Sequence, residues 1–334
     1  MGLNIRDIVP RKEFLFSDLK GKVIAVDAFN AIYQFLSSIR QYDGTPLMDK
    51  KGNITSHLSG LLYRNVALLL EGVKLVYVFD GKPPKLKGRT NEKRTENKKV
   101  AKEKFESAKD KDDYEAMKKY SAQFVKIDED IINESKELLE AMGIAVIQAP
   151  SEGEAQASHL AKRKDVYGVA SQDYDCLLFG SSRLIQNLTL ARKRKTASGY
   201  VEIKPEVIEL ERVLNNLQIN YDQLICLGIL VGTDYNPSGI KGIGQKKALQ
   251  LVKQKRTPIQ IFKEFEDLDF DWKEIFELFK KPDVDKISKI SFPEINEDKI
   301  RDVLLRHDFS EDRVEKQIEK LKNIKYKSAQ KTLF

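Results

Sequence analysis

Short apolar runs rich in β-branched residues recur along the chain, and three of them lead into acidic residues. The runs and the acids that follow them are residues 22–26 with Asp27, residues 75–79 with Asp80, and residues 166–171 with Asp173 and Asp175. Such runs, separated by segments of helical periodicity, predict buried parallel strands of an α/β sheet. Because sites in open parallel sheets form at the carboxyl ends of the strands, we expect these acids to line a site.

Apolar residues at helical spacing predict helices between the strands. The pattern covers residues 55–71 and ends before Gly72, and it recurs over residues 131–142 and ends before Gly143. Glycine is a common end signal for a helix. A short apolar strand follows at residues 144–147. We therefore predict an α/β fold with a central, mostly parallel sheet flanked by helices.

Residues 82–128, called the basic insertion below, interrupt this pattern with a charged stretch that is poor in large apolar residues and rich in helix formers. Between Lys82 and Lys126 it carries 15 Lys and Arg against 8 Asp and Glu, an excess that equals the net charge of +7 of the whole chain. One interpretation is a solvated or disordered insertion. The other is a basic helical arch over the site, which its position directly after Asp80 favours.

The composition narrows the class of protein. The chain has 334 residues, is 41% hydrophobic and contains no apolar run long enough to span a bilayer. The N-terminal residues lack the charged segment followed by an apolar segment that is typical of a signal peptide, so we expect a soluble intracellular protein. Cys176 and Cys226 lie in apolar contexts and are expected to be buried free thiols. Neither Cys nor His has the spacing of a zinc site, so a bound metal would have oxygen ligands.

Seven acidic residues form the candidate chemistry. They are Asp27, Asp80, Glu152, Glu154, Asp173, Asp175 and Asp234. Two pairs have acid-x-acid spacing, which lets one extended segment aim two carboxylates at the same point. Clustered carboxylates repel one another unless cations neutralise them, and hard Mg²⁺ or Mn²⁺ ions prefer such oxygen ligands. Two such ions can clamp the attacking and leaving oxygens of a phosphodiester, and then no protein nucleophile is required.

Each of these acids also has a purely structural interpretation. Asp27 can cap the following helix, Asp80 can belong to a turn, and Asp234 can begin one. Ser151 and Glu154 have the spacing of a capping box. Asp173 and Asp175 can be exposed acids in a loop. Taken together, these interpretations require several strand-end acids to coincide without purpose, so the sequence favours a metal site.

A glycine-rich segment at residues 238–248, SGIKGIGQKKA, has the pattern of a helix-hairpin-helix turn. Gly242 and Gly244 permit a tight turn with exposed backbone N–H groups that can hold a phosphate, and Lys246 and Lys247 add positive charge. An ordinary glycine-rich connection is the alternative. A second basic run at residues 192–195 fits a solvated hairpin, a targeting-like patch or a DNA contact.

Four segments resemble the signature motifs of flap endonucleases, in family order and with family-like spacing over nearly the whole chain. They are FDGKPP at residues 79–84, PSEGEA at 150–155, SQDYD at 171–175 and GTDY at 232–235. The resemblance implies a structure-specific 5′ flap endonuclease with 5′-3′ exonuclease activity, acting on branched DNA in lagging-strand maturation and repair.

The resemblance also implies roles for individual residues. The seven acids would hold two Mg²⁺ ions, with Mn²⁺ as a possible substitute, and Lys87 and Arg94 would offset charge on the scissile phosphate. Tyr33 would stack on the substrate next to the cut, and Gly2 would lie near the site. The basic insertion would be the arch through which the flap threads. The glycine hairpin would grip the downstream duplex with the help of a monovalent cation.

The tail at residues 325–334 begins like a motif that docks on a sliding clamp (PCNA). Gln330, Leu333 and Phe334 match its start, but the chain ends before the aromatic pair with which the motif normally closes. The lack of a long basic extension is typical of the archaeal type. We therefore expect an archaeal, cytoplasmic, nucleoid-associated protein that makes no membrane contact and is a monomer on its own.

We predict one nuclease domain over residues 1–334, divided by the insertion and the hairpin. Its parts are an N-terminal region at 1–81, the basic insertion at 82–128, an internal region at 129–235, the hairpin at 236–256 and a flexible tail at 325–334. The alternatives to a flap enzyme are a junction- or bubble-cutting relative and a catalytically silent DNA- or clamp-binding protein. The full acid set argues against the silent protein, because binding alone does not need a pocket that repels phosphate.

Overall fold

The computed structural model describes residues 3–110, 113–121, 123–190, 193–196, 199–265, 268–287 and 289–330. Only the backbone is described for residues 89–94, 114, 118, 193–196, 200 and 325–330. Among the predicted site residues, Gly2, Leu333 and Phe334 therefore lie outside the described residues. Arg94 and Gln330 are described by their backbone alone.

Nine strands are present in the described part of the chain. They are β1 (Lys12–Glu13), β2 (Val23–Asp27), β3 (Lys74–Phe79), β4 (Ala145–Gln148), β5 (Gly168–Ala170), β6 (Arg183–Gln186), β7 (Lys193–Thr196), β8 (Gly199–Glu202) and β9 (Glu206–Glu209). Seven of them form one sheet in the order β1-β9-β6-β5-β2-β3-β4. The five strands from β6 to β4 are parallel, while β9 runs antiparallel to β6 and to β1.

Helices connect and cover these strands. They are α1 (Ala28–Ser38), α2 (Ser56–Leu70), α3 (Gly88–Lys109), α4 (Tyr114–Ser121), α5 (Glu129–Ala141), α6 (Gly153–Lys162), α7 (Asp175–Leu178), α8 (Leu210–Leu217), α9 (Tyr221–Val231), α10 (Gln245–Gln254), α11 (Pro258–Phe262), α12 (Trp272–Lys280), α13 (Glu297–Leu305) and α14 (Glu311–Gln330). Short 3-10 turns lie at Phe16–Leu19 and Lys85–Lys87. None of the helices in the described ranges is both long and apolar enough to cross a bilayer.

Both faces of the sheet are covered, which explains why its central strands read as continuous apolar runs. Ala25 of β2 packs into a core shared with α6, α7 and α9 to α12. Its neighbours Ile24 and Val26 point to the other face and pack with α1, α2, α5, α13 and α14. The predicted α/β fold with a mostly parallel sheet is confirmed.

The structure differs from the sequence-based bounds mainly at the third predicted strand. Residues 166–171 were expected to be extended, but β5 covers only Gly168–Ala170. The backbone N–H of Tyr167 still donates to Val23 O at 2.7 Å, so the segment joins the sheet before the strand proper begins. The helices at residues 55–71 and 131–142 are confirmed as α2 and α5, with ends shifted by at most two residues.

The basic insertion is helical over most of its length. It contains α3 and α4, which pack on each other through a small apolar cluster of Phe105, Ala108 and Met117. The ring centroid of Phe105 lies 5.3 Å from that of Phe124 in an edge-on contact. The helical interpretation of the insertion is therefore confirmed over its described residues, while its role as an arch stays a prediction.

Candidate active site

Neighbouring parallel strands bring acids from distant parts of the sequence to one edge of the sheet. Asp27 is the last residue of β2, and Asp80 follows the end of β3, the strand beside it. Asp173 comes three residues after β5, which pairs with β2 on its other side. The acids therefore lie on both sides of the central strand β2. Here the chain continues to β3 on one side of β2 and later returns to β5 on the other side, and open α/β sheets bind ligands at such a point.

Asp27 fills a structural role and a site position at the same time. Its Oδ1 accepts a hydrogen bond from the backbone N–H of Asn30 at 3.0 Å and so caps α1. Its Oδ2 accepts from Ser171 Oγ at 3.1 Å. The interpretation of Asp27 as a helix cap is therefore correct. The residue is nevertheless only 4% exposed and lies at the ends of the strands, near the other acids.

The start of α6 supplies two further acids. Glu152 is the N-cap residue of α6, and Glu154 lies in its first turn. The capping-box interpretation of Ser151 and Glu154 is wrong, because the helix begins one residue later than that spacing requires and no side chain caps it. Instead, the N–H of Gly153 donates to Asp80 Oδ1 at 2.6 Å. A Cβ atom at Gly153 would lie 2.8 Å from the same oxygen and 3.0 Å from the backbone oxygen of Val78, so a larger residue would force the Asp80 carboxylate to move.

Three of the acids form a tight group. Carboxylate oxygens of Glu154, Asp173 and Asp175 all lie within 4.8 Å of one another, a spacing at which one metal ion can be held. The side chain of Asp175 is buried, and its Oδ1 has no hydrogen-bond partner among the described residues. A buried carboxylate oxygen without a partner is costly unless a cation compensates it.

The pKa values of the acids also favour a bound cation. Burial, with Asp80 as the second cause, raises the pKa of Asp27 to about 7. Burial is also the largest cause that raises the pKa of Asp80, Glu154, Asp173 and Asp175, and the neighbouring acids add to it in every case. The raised pKa values show that the buried carboxylates repel one another when they are ionised. A bound cation relieves this repulsion, so the group of carboxylates is suited to hard divalent ions.

Lys87 enters this group from the start of the basic insertion. It closes the 3-10 turn after β3, and its side chain is 16% exposed. Its Nζ contacts Glu152 Oε1 and lies 3.4 Å from Asp234 Oδ2. Burial alone would lower the pKa of Lys87, but the carboxylates of Glu152 and its neighbours outweigh burial and raise it. The ammonium group therefore stays charged inside the acidic site.

Tyr235, for which the sequence predicted no role, is part of the site. The residue is 6% exposed, and its hydroxyl donates to Glu152 Oε2. Its position directly after Asp234, in the GTDY segment, was the available signal. Burial and the nearby carboxylate of Glu152 raise the pKa of Tyr235, so the phenol keeps its proton and remains a donor.

The other predicted contact residues lie on α1 and around the start of α10. Tyr33 is on α1, two turns from Asp27, and is 40% exposed. Gly242 adopts a left-handed φ of 81° in the turn between α9 and α10, and Gly244 is the N-cap residue of α10. Lys246 and Lys247 are exposed in the first turn of that helix. The predicted hairpin between two helices is therefore present, and its contact with DNA stays a prediction.

The second basic run forms part of a hairpin. Strands β7 and β8 pair antiparallel, from Lys193 opposite Glu202 to Thr196 opposite Gly199. Arg192 lies outside the described residues. The hairpin part of the prediction is confirmed, and the choice between solvation and DNA contact stays open.

Comparisons with known proteins agree with this geometry. The family model of the XPG N-terminal domain matches residues 6–101, and that of the XPG I-region matches residues 143–234. Flap endonuclease 1 of Thermococcus onnurineus is 50% identical over 336 aligned positions, which cover 100% of this chain and 98% of the relative. The chain belongs to the flap endonuclease family. Flap endonuclease 1 of Pyrococcus horikoshii, 52% identical over 100% of this chain and 97% of its own length, supports the same assignment.

The fold of this flap endonuclease also matches a solved relative. The structure of flap endonuclease-1 from Methanococcus jannaschii superposes with a TM-score of 0.76 at 41% identity, covering 97% of this chain and 98% of that one. The prediction of a flap-type, metal-dependent nuclease is thereby confirmed. The junction-cutting and silent-binding alternatives are not favoured, because the flap endonuclease match extends over the full chain.

Proposed function

We propose that this flap endonuclease hydrolyses a phosphodiester bond at the base of 5′ flaps in branched DNA, with two Mg²⁺ ions held by the seven acids. The observation that carries the proposal is the group of Glu154, Asp173 and Asp175, whose oxygens lie within 4.8 Å of one another at the sheet edge. Asp175 Oδ1 supports it, because this buried oxygen has no hydrogen-bond partner within the described ranges and has the chemistry of a metal ligand.

The acids and the ions have separate tasks in this proposal. Asp27, Asp80, Glu152, Glu154, Asp173, Asp175 and Asp234 would bind and space the ions. When bound, the ions supply electrostatic stabilisation of the charge that builds up on the phosphate, and Mn²⁺ can replace Mg²⁺ in that task. Because the strands and α6 fix the carboxylates from behind, little reorganisation is needed when the substrate arrives.

Two cations of the basic insertion would act on the scissile phosphate. The Lys87 ammonium group already lies at the acids and can donate to a phosphate oxygen drawn into the site. Arg94 follows seven residues later on α3, about two helical turns, so its backbone lies on the same side of the helix. A guanidinium group there would complement the phosphate with paired hydrogen bonds.

Other residues would hold the DNA on either side of the cut. Tyr33, partly exposed on α1, would stack on a base beside the scissile bond, with Gly2 nearby. The N–H groups of the glycine hairpin, with Lys246, Lys247 and a monovalent cation, would grip the backbone of the downstream duplex. The basic insertion would enclose the single-stranded flap as an arch.

The cellular role follows from the same assignment. We place the activity in lagging-strand maturation and repair, with 5′-3′ exonuclease action at nicks and gaps. Gln330, Leu333 and Phe334 would contact a sliding clamp (PCNA) through the partial motif of the tail. Catalysis would not depend on this contact.

The decisive experiment uses a double-flap DNA labelled at its 5′ end. Wild type and Asp175→Ala are incubated with it, in Mg²⁺ and in EDTA. We expect a short product from the base of the flap only for wild type with Mg²⁺. Asp165→Ala serves as the control, because this exposed acid precedes β5 at the opposite edge of the sheet and pairs with Arg163.

Two results would contradict the proposal. Cutting in EDTA would remove the metal from the mechanism. Retained binding of the DNA without any product from wild type would favour the silent-binding alternative, and a four-way junction would then be the next substrate. Loss of both binding and cutting in Asp175→Ala would assign that residue a structural role.

A further inference from the structure

Two histidines and two acids form a second group of titratable side chains, separate from the acidic cluster. His57 of α2 is completely buried, and His307, in the turn between α13 and α14, is 7% exposed. Glu134 of α5 lies between them, with Oε2 3.0 Å from His57 Nε2 and Oε1 3.1 Å from His307 Nε2. The fourth member, Asp49, comes from the connection between α1 and α2, and its Oδ2 lies 3.1 Å from His307 Nδ1.

Both ring nitrogens of His307 face carboxylate oxygens. The contact of Nδ1 with Asp49 has hydrogen-bond geometry, whereas that of Nε2 with Glu134 is an ion pair by distance alone. A neutral imidazole carries a proton on one nitrogen and an electron pair on the other. In either neutral form an electron pair would face a carboxylate oxygen at 3.1 Å, which is repulsive. The arrangement is attractive on both sides only when both nitrogens carry protons.

Asp49 is held in its ionised form. Its Oδ1 accepts from the backbone N–H groups of Lys51 at 2.9 Å and of Asn53 at 2.8 Å. Its Oδ2 also accepts from Asn53 Nδ2 at 2.9 Å. Burial alone would raise the pKa of Asp49, but these hydrogen bonds and the one from His307 lower it to about 2. The proton between Asp49 and His307 therefore belongs to the imidazole.

These contacts hold a loop that has little regular structure of its own. Residues 39–55, which connect α1 and α2, contain two isolated β-bridges and neither a helix nor a strand. Asp49 of this loop and His307 are 258 positions apart in the sequence. Beside them, the backbone N–H of Lys50 donates to Asp308 Oδ2 at 2.7 Å. The position of the loop therefore depends on side chains of the α13–α14 turn.

We propose that Asp49, Glu134 and His307 form a proton-dependent clasp that holds the loop of residues 39–55 against α5 and the α13–α14 turn. With both nitrogens protonated, the imidazolium attracts both carboxylates. Loss of one proton leaves two carboxylates facing a single donor, so the loop is released. The clasp contributes stability at lower pH that is lost as pH rises, the sign expected for a protonated group that gains anionic partners.

The other charged groups nearby pair among themselves. These pairs are Lys50 with Asp308, and Lys299 and Arg306 with Glu137. His57 meets Glu134 through Nε2 alone, since its Nδ1 has no hydrogen-bond partner within the described ranges. Over the same ranges, the ion pairs of His307 are those with Asp49 and Glu134. The protons of His307 therefore decide whether the clasp closes.

The first test observes these protons by NMR. Protein labelled with ¹⁵N in its histidines gives few signals, because the chain has three of them, His57, His159 and His307. Variants that replace each histidine with Gln assign the signals. At about pH 7 we expect both nitrogens of His307 to show the chemical shift of an N–H group. A neutral tautomer, with one bare nitrogen, overturns the proposal. His159 is the neutral reference, because burial and Arg163 lower its pKa.

The second test observes the loop by hydrogen exchange and mass spectrometry between about pH 6 and pH 9. Peptides covering residues 46–56 report the amides that donate to Asp49 and Asp308, and each rate is corrected for the intrinsic rise of exchange with pH. We expect protection to fall by about tenfold or more over this range, the usual effect of losing a hydrogen bond to a charged group. In His307→Gln, protection is low throughout. His159→Gln is the matched control and follows wild type.

Two results of the exchange experiment overturn the clasp. One is a protection in wild type that does not change with pH, and the other is a fall of equal size in His307→Gln. If His307→Gln does not fold, the wild-type profile decides, and the ¹⁵N signals of His307 are assigned from the other two variants. Neither test uses DNA or cleavage, so the clasp stands or falls independently of the proposed function.

Discussion

The acidic cluster and the basic insertion differ in what lies behind them. The acids stand on strand ends and on the start of α6, above two large cores that cover both faces of the sheet. The insertion packs its two helices mainly on each other, through a cluster whose buried members are Phe105, Ala108 and Met117. A large core fixes side chains, whereas few buried apolar contacts permit opening at low cost. The chemical groups are thus held rigidly, and the segment proposed to admit the flap is held loosely.

Lys87 connects the two regions. Among the described side chains at the start of the insertion, it is the one that forms ion pairs with the acids. Lys87 leaves the end of β3 by a 3-10 turn and immediately precedes α3, while its ammonium group contacts the acids. A shift of α3 therefore moves a charge at the candidate active site. Entry of the substrate and the charge balance of the acids can therefore be linked through Lys87, without movement of the sheet.

The sharpest test of this contrast compares two phenylalanines. Phe35, 1% exposed in the core between α1 and α2, is changed to alanine, and so is Phe105 in the insertion. We expect Phe35→Ala to lower the free energy of unfolding by about 3–5 kcal/mol, as for other large core truncations. Phe105→Ala should leave global unfolding in urea nearly unchanged but speed hydrogen exchange in α3 and α4. Equal losses of global stability would show that the insertion is part of the main cooperative unit.

The second prediction concerns the cations of the insertion. We expect the double variant Lys87→Met, Arg94→Met to lower single-turnover cleavage by about 10²- to 10³-fold, the usual loss when a group aimed at developing charge is removed. Flap DNA affinity, measured by anisotropy at the same salt concentration, should change far less. Lys162→Met is the control, since this exposed lysine ends α6 at the far edge of the sheet. An unchanged cleavage rate would remove both cations from the mechanism.

The third prediction tests the repulsion within the acidic cluster. Burial and Asp80 raise the pKa of Asp27 from 3.8 to about 7, so the folded protein binds more protons than the unfolded chain in that range. In EDTA, this group therefore makes stability fall as pH rises from about 4 to about 7. Each pKa unit is worth about 1.4 kcal/mol.

Urea unfolding at several pH values checks this sign. Mg²⁺ should oppose the fall, because ion binding stabilises the ionised acids of the folded state. Asp27→Asn should flatten the profile in EDTA, with part of the effect retained by the other acids. A metal-free stability that rises over the same pH range would contradict the repulsion.

The smallest expected effect lies in the glycine hairpin, a proposed DNA contact that does rest on a large core. Gly242 has a φ of 81°, while Gly244 caps α10 with a φ of −92°. A Cβ atom at either position meets nothing within 4 Å, so only backbone strain distinguishes them. We expect Gly242→Ala to cost about 1 kcal/mol of stability and to weaken duplex binding. Gly244→Ala should be nearly neutral for stability, and equal losses would contradict this geometry.

Much of the fold and the candidate site could be predicted because the signals were local. Val26 and Asp27, or Phe79 and Asp80, are adjacent in sequence, so an apolar run followed by an acid already indicates a strand end at a site. The confirmed sheet brings these acids together as parallel strands require. Local spacing failed at Ser151 and Glu154, because the hydrogen bond from Gly153 to Asp80 sets where α6 begins. That contact joins residues 73 positions apart.

From the amino-acid sequence alone we could predict the α/β pattern, the acids at strand ends, the charged helical insertion and the glycine hairpin. Each of these depends on neighbouring residues or on a short period along the chain. The contacts of Lys87 with Glu152 and Asp234, and of the Tyr235 hydroxyl with Glu152, follow from three-dimensional packing. The same is true of Asp175 Oδ1, which has no hydrogen-bond partner among the described residues. The physical reason is that charge pairing and desolvation depend on distances in space, and these are set by the packing of β3, α6 and α9 around the sheet edge.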